Sequence, residues 1–183
     1  MSEKRNQSAS KRIRTICFAA MFAALICACT FMSVPLPIGY FNLGDVAVLL
    51  ASYVLGFPAV IAAALGSALA DLFMGYAVYA PATAIIKGTI ALIVCLAMRL
   101  AKKYNGKTPM LLVQGVASVI GEAFMVAGYL FFEAIALSYG AGALASVPGN
   151  CLQGACGVIG AMIIYTALKL SGALRFVERK NKE

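Results

Sequence analysis

The sequence predicts an all-α integral membrane protein with six transmembrane helices and both termini cytoplasmic. The first observation is composition. Of 183 residues, 62% are hydrophobic and 12% charged, more apolar residue than a soluble core of this size can use. The second is the placement of the basic residues. Fourteen of the fifteen fall in three clusters: Lys4, Arg5, Lys11, Arg12 and Arg14; then Arg99, Lys102, Lys103 and Lys107; then Lys169, Arg175, Arg179, Lys180 and Lys182. Lys and Arg beside membrane segments mark the cytoplasmic face, so an even number of crossings separates each pair of clusters. The third is a turn signal, Gly56-Phe57-Pro58, in the middle of the uncharged stretch 46–70, which supplies the even count.

Each element follows from these signals. A basic cytoplasmic tail (1–11) precedes the membrane domain (12–170), and a second basic cytoplasmic tail (171–183) follows it. Helix 1 is expected over 12–34, ended by Pro35-Leu36-Pro37. Its start looks like a signal peptide, and Ile26-Cys27-Ala28-Cys29 loosely resembles a lipoprotein cleavage box. The uncharged run 15–34 is nevertheless long enough to span a bilayer, which favours a retained helix. A short helix 2 (43–55) and helix 3 (58–75) flank the Gly56 turn. Helix 4 covers 80–100 and helix 5 covers 109–138, long enough to tilt. Helix 6 covers 143–170, with Pro148 in its first turns. Joining helices 2 and 3 into one span would place the Arg99–Lys107 cluster outside, against the positive-inside rule. The outer connections, near 35–42, 76–79 and 139–142, contain no Lys or Arg.

Several function classes are excluded. The net charge of +8 is the positive-inside signal rather than a nucleic-acid footprint. Six cysteines lie in apolar runs without CxxC spacing and histidine is absent, so neither a disulfide framework, a zinc site nor another metal is expected. No glycine-rich phosphate loop occurs, so the chain does not bind ATP in that manner. No cofactor is expected. No internal repeat marks an inverted-repeat transporter.

The polar residues inside the apolar segments carry the functional argument. At 1.5 Å rise per residue, Lys87 lies roughly 10 Å below the outer start of helix 4, Glu133 roughly 8 Å from the outer end of helix 5, and Asn150 roughly 10 Å into helix 6. Asp71 ends helix 3; Asn42 and Asp45 begin helix 2. Glu122 is deeper and Gln114 lies toward the cytoplasm. Buried charge in a membrane is costly and usually faces a bundle interior or wet cavity. Lys87 is expected to pair with Glu133, Asp71 or Glu122, either as a helix tie or as part of a site. Tyr40, Phe41, Tyr76, Tyr79, Tyr129, Phe132 and Tyr139 share the outer level. Phe132 and Tyr139 fit an interfacial aromatic belt. Tyr129 shares a helical face with Glu122, Val126 and Glu133, as Thr83 does with Lys87, and Asn150 with Gln153 and Gly157. Three polar stripes with tyrosines describe a pocket for a small, flat, polar molecule, although Gln153 also suits an interhelical hydrogen bond. The candidate ligand-contacting residues are Tyr40, Asn42, Asp45, Tyr79, Thr83, Lys87, Tyr129, Glu133, Asn150 and Gln153. On helix 1, Ala20, Ala24 and Ala28 recur every four residues, as do Ala19, Ala23 and Cys27. Such small faces admit a second helix, from within the bundle or from a partner.

Three blocks in order carry a family resemblance: Pro37-Ile-Gly-Tyr-Phe-Asn-Leu-Gly-Asp45, Gly66-Ser-Ala-Leu-Ala-Asp71 and Tyr79-Ala-Pro-Ala-Thr-Ala-Ile-Ile-Lys-Gly88. The chain resembles the substrate-binding S component of energy-coupling factor (ECF) vitamin transporters, in the riboflavin-type branch that also includes proposed hydroxymethylpyrimidine importers. Helices 5 and 6 match more loosely. The resemblance implies six helices, a site near the outer surface capped by the loop between helices 1 and 2, and no enzymatic activity. It implies a multi-pass protein in the bacterial plasma membrane, among lipid and without nucleic acid. It also implies that Ala20, Ala24 and Ala28 dock a transmembrane T component bearing two ATP-binding cassette ATPases. The S component would then topple in the membrane to release substrate inside. Two other readings compete. One is a stand-alone secondary transporter using Lys87 and the acids as a proton relay. The other is a membrane enzyme, which the lack of histidine and of metal-ligand spacing disfavours.

Overall fold

A computed structural model describes residues 2–36, 40–104 and 109–174, with side chains from Ala9 onward except Lys11. Pro37, Lys107 and the basic residues from Arg175 to the end lie outside the described residues. The elements are α1 (Ser2–Phe31), β1 (Ser33–Pro35), β2 (Tyr40–Asn42), α2 (Gly44–Leu55), α3 (Pro58–Phe73), α4 (Ala80–Tyr104), α5 (Met110–Phe131), a π-helical turn (Phe132–Ala136), a 3-10 turn (Gly140–Ser146) and α6 (Val147–Leu170). Six α-helices lie among the described residues, where six transmembrane helices were expected. Among these residues four segments are long and apolar enough to cross a membrane: Arg12–Phe31, Ala80–Tyr104, Met110–Ala136 and Gly140–Leu170. The α2 and α3 helices are apolar and shorter.

The division of α2 from α3 is local chemistry. Gly56 has φ 67°, a left-handed conformation that a residue with a Cβ resists. Its N–H bonds the Ser52 carbonyl at 3.2 Å and closes α2, and Pro58 opens α3 in its first turn, where its missing N–H costs nothing. The α2 helix is the centre of the bundle. It packs on α1, α3, α4 and α6, and Ala47, Val48, Leu49, Leu50, Ala51 and Tyr53 are all buried. Around it, α1 packs on α3, α3 on α4, α4 on α5 and α5 on α6. A short helix suffices for α2 because protein, rather than lipid, surrounds most of it.

Besides shifts of a few residues at the ends of α3 and α4, the structure differs from the sequence reading at four places. First, α1 begins at Ser2, so helix continues into the expected tail; Lys, Arg, Gln and Ala are good helix formers. Second, α1 ends at Phe31, because Ser33–Pro35 pairs antiparallel with Tyr40–Asn42. The expected outer loop is therefore a hairpin, whose three-residue strands are too short for an alternating pattern to show. Third, helix 5 divides into α5 and the π-turn. Fourth, a 3-10 turn precedes α6, with Pro148 in the first turn of α6.

Candidate ligand-binding site

The hairpin, the start of α2, the end of α3, the start of α4, the π-turn and the start of α6 converge at one end of the bundle. The floor of this region is a chain of polar contacts across four elements. Asn42 accepts the Gly44 N–H at 2.7 Å, a local bond that opens α2. The Asn42 backbone N–H and side-chain amide both donate to Gln153 Oε1, at 3.0 and 3.1 Å. Gln153 Nε2 donates to Asp45 Oδ2 at 2.7 Å. Lys87 Nζ meets Asp45 Oδ1 at 2.5 Å, with Met125 Sδ at 3.0 Å and the Tyr129 ring centroid at 5.5 Å. Asp45 also sits in the first turn of α2, where the helix dipole favours a negative charge.

This corrects the expected pairing. Lys87 is matched by Asp45, not by Glu133, Asp71 or Glu122. Asp71 accepts a hydrogen bond from the Tyr40 hydroxyl. Glu133 accepts from Ser146 at 2.5 Å and from Tyr79 at 3.4 Å. Glu122 lies beneath the floor, and both its carboxylate oxygens lack a hydrogen-bond partner among the described residues. Glycines on α6 make room for it. A Cβ at Gly157 would stand 2.9 Å from Asp45 Cβ and 3.4 Å from Glu122 Oε1, so no larger residue fits there without displacing the acids.

The walls are aromatic. The Tyr40 and Tyr76 rings have centroids 5.0 Å apart, Tyr76 and Tyr79 6.2 Å, and Tyr79 and Phe132 5.5 Å. Phe132 is half-buried against Tyr79, whereas Tyr139 is exposed. The Tyr129 hydroxyl donates to Thr83 Oγ1 at 3.0 Å. Burial, then the neighbouring Asp71 carboxyl, pushes the Tyr40 phenol above its ordinary pKa. Burial, then Glu133, does the same for Tyr79. Both stay protonated donors at physiological pH. The π-turn places Glu133 inward, 2% exposed, and such wide turns are frequent at functional sites.

Between floor and walls is a space of about 440 Å³, counting the part open to solvent. Nine of the ten residues singled out in the sequence line it. Asp45 does not; it lies behind Lys87 and Gln153 and holds both. Gln153 is thus an interhelical tie and a lining residue at once. Thr30 and Tyr76 also line the space and were not among the ten. Thr30 ends the apolar run of α1 as its buried hydroxyl, and Tyr76 stands one turn before Tyr79; those positions were the available signals. The Asn150 side chain faces the space and has no hydrogen-bond partner among the described residues.

The family model for the S component of ECF-type riboflavin transporters matches residues 10–170. The chain belongs to this family. No curated protein matches it. Its class is thus a vitamin-type, substrate-binding transporter subunit of a membrane, not a class of enzymes.

In this S component the two small faces of α1 have separate places. Ala23 packs inward: a Cβ on Gly66 of α3 would stand 2.5 Å from the Ala23 carbonyl oxygen. Ala20, Ala24 and Ala28 are exposed. Ala20 also borders an apolar groove between α1 and α3, about 950 Å³ counting the part open to solvent, with Ile16, Ala19, Ile61 and Leu65.

Proposed function

We propose that this S component captures a small, flat vitamin or vitamin precursor in the cavity beneath the hairpin. Riboflavin, named by the family, is the first candidate and hydroxymethylpyrimidine the second. The observation that carries the reading is the convergence of nine separately chosen residues on one space in a chain of this family. Tyr40, Tyr76, Tyr79 and Tyr129 offer ring faces to a planar ligand. Asn150 offers both a donor and an acceptor, while Thr83, Lys87, Glu133, Gln153 and Asn42 complete the lining. Six crossings with both termini cytoplasmic put the cavity near the outer face, in the bacterial plasma membrane. The exposed Ala20, Ala24 and Ala28 face is the docking surface for a T component carrying two ATPases, which drive uptake. Flat helix faces of this kind permit close approach of a second helix.

Titration of purified protein with riboflavin and hydroxymethylpyrimidine tests the reading. Tight binding of one, without turnover, is expected. Asn150→Ala, by removing a ligand hydrogen bond from a buried site, should weaken binding about tenfold, at ~1.4 kcal/mol per decade. Proton-coupled uptake in vesicles without ATPases would instead support a stand-alone secondary transporter.

A further inference from the structure

The cavity holds four buried acids in or around it and one lysine, and that lysine is already matched. Lys87 Nζ is spent on Asp45 at 2.5 Å, Met125 Sδ and the Tyr129 face. The connections at this end of the bundle, near 35–42, 76–79 and 139–142, contain no Lys or Arg. The hydroxyls beside the two acids are spent on them, which leaves Tyr76 and the Asn150 amide as neutral donors on the wall. Tyr40 donates to Asp71, and both Tyr79 and Ser146 donate to Glu133, the pattern of carboxylates accepting hydrogen bonds. Asp71 and Glu133 are 0% and 2% exposed, so water screens them little.

We propose that the site is a charge filter: it admits the uncharged form of its ligand and refuses the phosphorylated form. A phosphate monoester entering here would lose its hydration beside two carboxylates with no free cation to replace it. Burial of an unmatched charge is among the most unfavourable events in recognition. Specificity of this kind comes from repulsion built into the wall, not from added attraction. Glu133 is the specificity-determining residue, because it lines the cavity directly and has no cationic partner among the described residues. Asp71, behind Tyr40, reinforces it. The consequence for the cell is an order of events: any kinase acting on this ligand acts after import, and an external phosphatase must act before it.

The inference rests on the reading of the cavity as a vitamin site, and the test separates the two. Purified protein is titrated with riboflavin and riboflavin 5′-phosphate, and with hydroxymethylpyrimidine and its phosphate ester. The expected result is that one uncharged compound binds, with its ester at least about thirtyfold weaker, a ratio set by unmatched buried charge. Glu133→Gln keeps the shape and removes the charge, and should narrow that ratio at least about fivefold. Asn150→Lys, which supplies a cation to the wall, should narrow it as well, whatever happens to absolute affinity. Equal binding of ester and parent, or a ratio unchanged in both variants, overturns the filter while leaving the vitamin site standing. Binding of an ester alone overturns the filter too. Binding of none of the four compounds removes the vitamin reading and the filter together.

Discussion

The cavity and the α1–α3 groove lie toward opposite ends of α1 and are built by opposite means. Thr30 lines the cavity; Ile16, Ala19 and Ala20 line the groove. The cavity is held by contacts between residues far apart in sequence: Lys87 with Asp45, Gln153 with Asn42 and Asp45, Glu133 with Ser146 and Tyr79. Most of the polar groups there restrain one another, so much of the wall is ordered before a ligand arrives, which lowers the cost of binding. The groove is lined mainly by alanines and branched aliphatic side chains, with Thr15, Phe57 and Pro58, and attracts a partner mostly by close packing. A precise small-molecule site and a tolerant helix surface therefore coexist on one bundle. They ought to be separable by substitution.

The largest effect should come from breaking the floor of the cavity. Asp45 is 0% exposed and Lys87 3%. Lys87→Met leaves the Asp45 carboxylate buried without a counter-ion, and should cost about 3–5 kcal/mol of stability. Combining Lys87→Met with Asp45→Asn removes both charges and should recover most of that loss. Thermal unfolding in detergent reads both. A single variant as stable as the native chain would mean that the floor is not held by this pair.

The groove side should behave in the opposite way. Ala24→Trp adds bulk to an exposed face, so ligand affinity should change less than about twofold while uptake falls at least about tenfold, because the partner helix can no longer approach. Gly66→Leu is the contrast on the inner face. Its side chain meets the Ala23 backbone, and should reduce stability by about 1–3 kcal/mol or more through overpacking. Equal loss of binding and uptake in Ala24→Trp would show that the outward alanines pack within the S component after all.

The same contrast explains what could be read from the chain. Helices of this length announce themselves through uncharged apolar runs and their breaks, so α4 starts at Ala80 as expected and the Gly56 turn is where the charge parity demanded it. Depth along a helix needs only a constant rise, and the residues it grouped, Lys87, Glu133 and Asn150, line one space. Rotation and pairing across helices are not legible in that way. Which acid meets Lys87 depends on how α2 is seated between α4 and α6. That seating depends on Gly154 and Gly157 giving way to Glu122 and Asp45, which no local pattern records. The hairpin was hidden for a different reason: its strands are three residues long, and Asn42 at its end is held by Gln153, 111 residues away. Ala20 and Ala23 looked equivalent as members of two parallel stripes, and only the close approach of Gly66 distinguishes the inner stripe from the outer.

The smallest predicted effect is also the sharpest test of how polar groups are treated in the two halves. Gln114, on the same face of α5 as Ser118 and Glu122, is 0% exposed, and neither its amide oxygen nor its nitrogen has a hydrogen-bond partner among the described residues. Ser118, one turn away, is matched by the Tyr53 hydroxyl at 2.7 Å, so the stripe is only partly satisfied. A buried amide without partners costs about 1–3 kcal/mol relative to one that is bonded, and a thioether of similar length has no such cost. Gln114→Met should therefore leave ligand affinity unchanged and raise stability by about 1 kcal/mol. Chemical unfolding of both proteins in the same detergent measures the difference. A loss of more than about 1 kcal/mol would mean that the amide is bonded in the membrane-embedded protein, with a buried water as the natural partner. Of the polar track below the cavity Glu122 alone would then lack a partner among the described residues, and the contrast between the restrained cavity end and the opposite end would be weaker than the protein contacts alone imply.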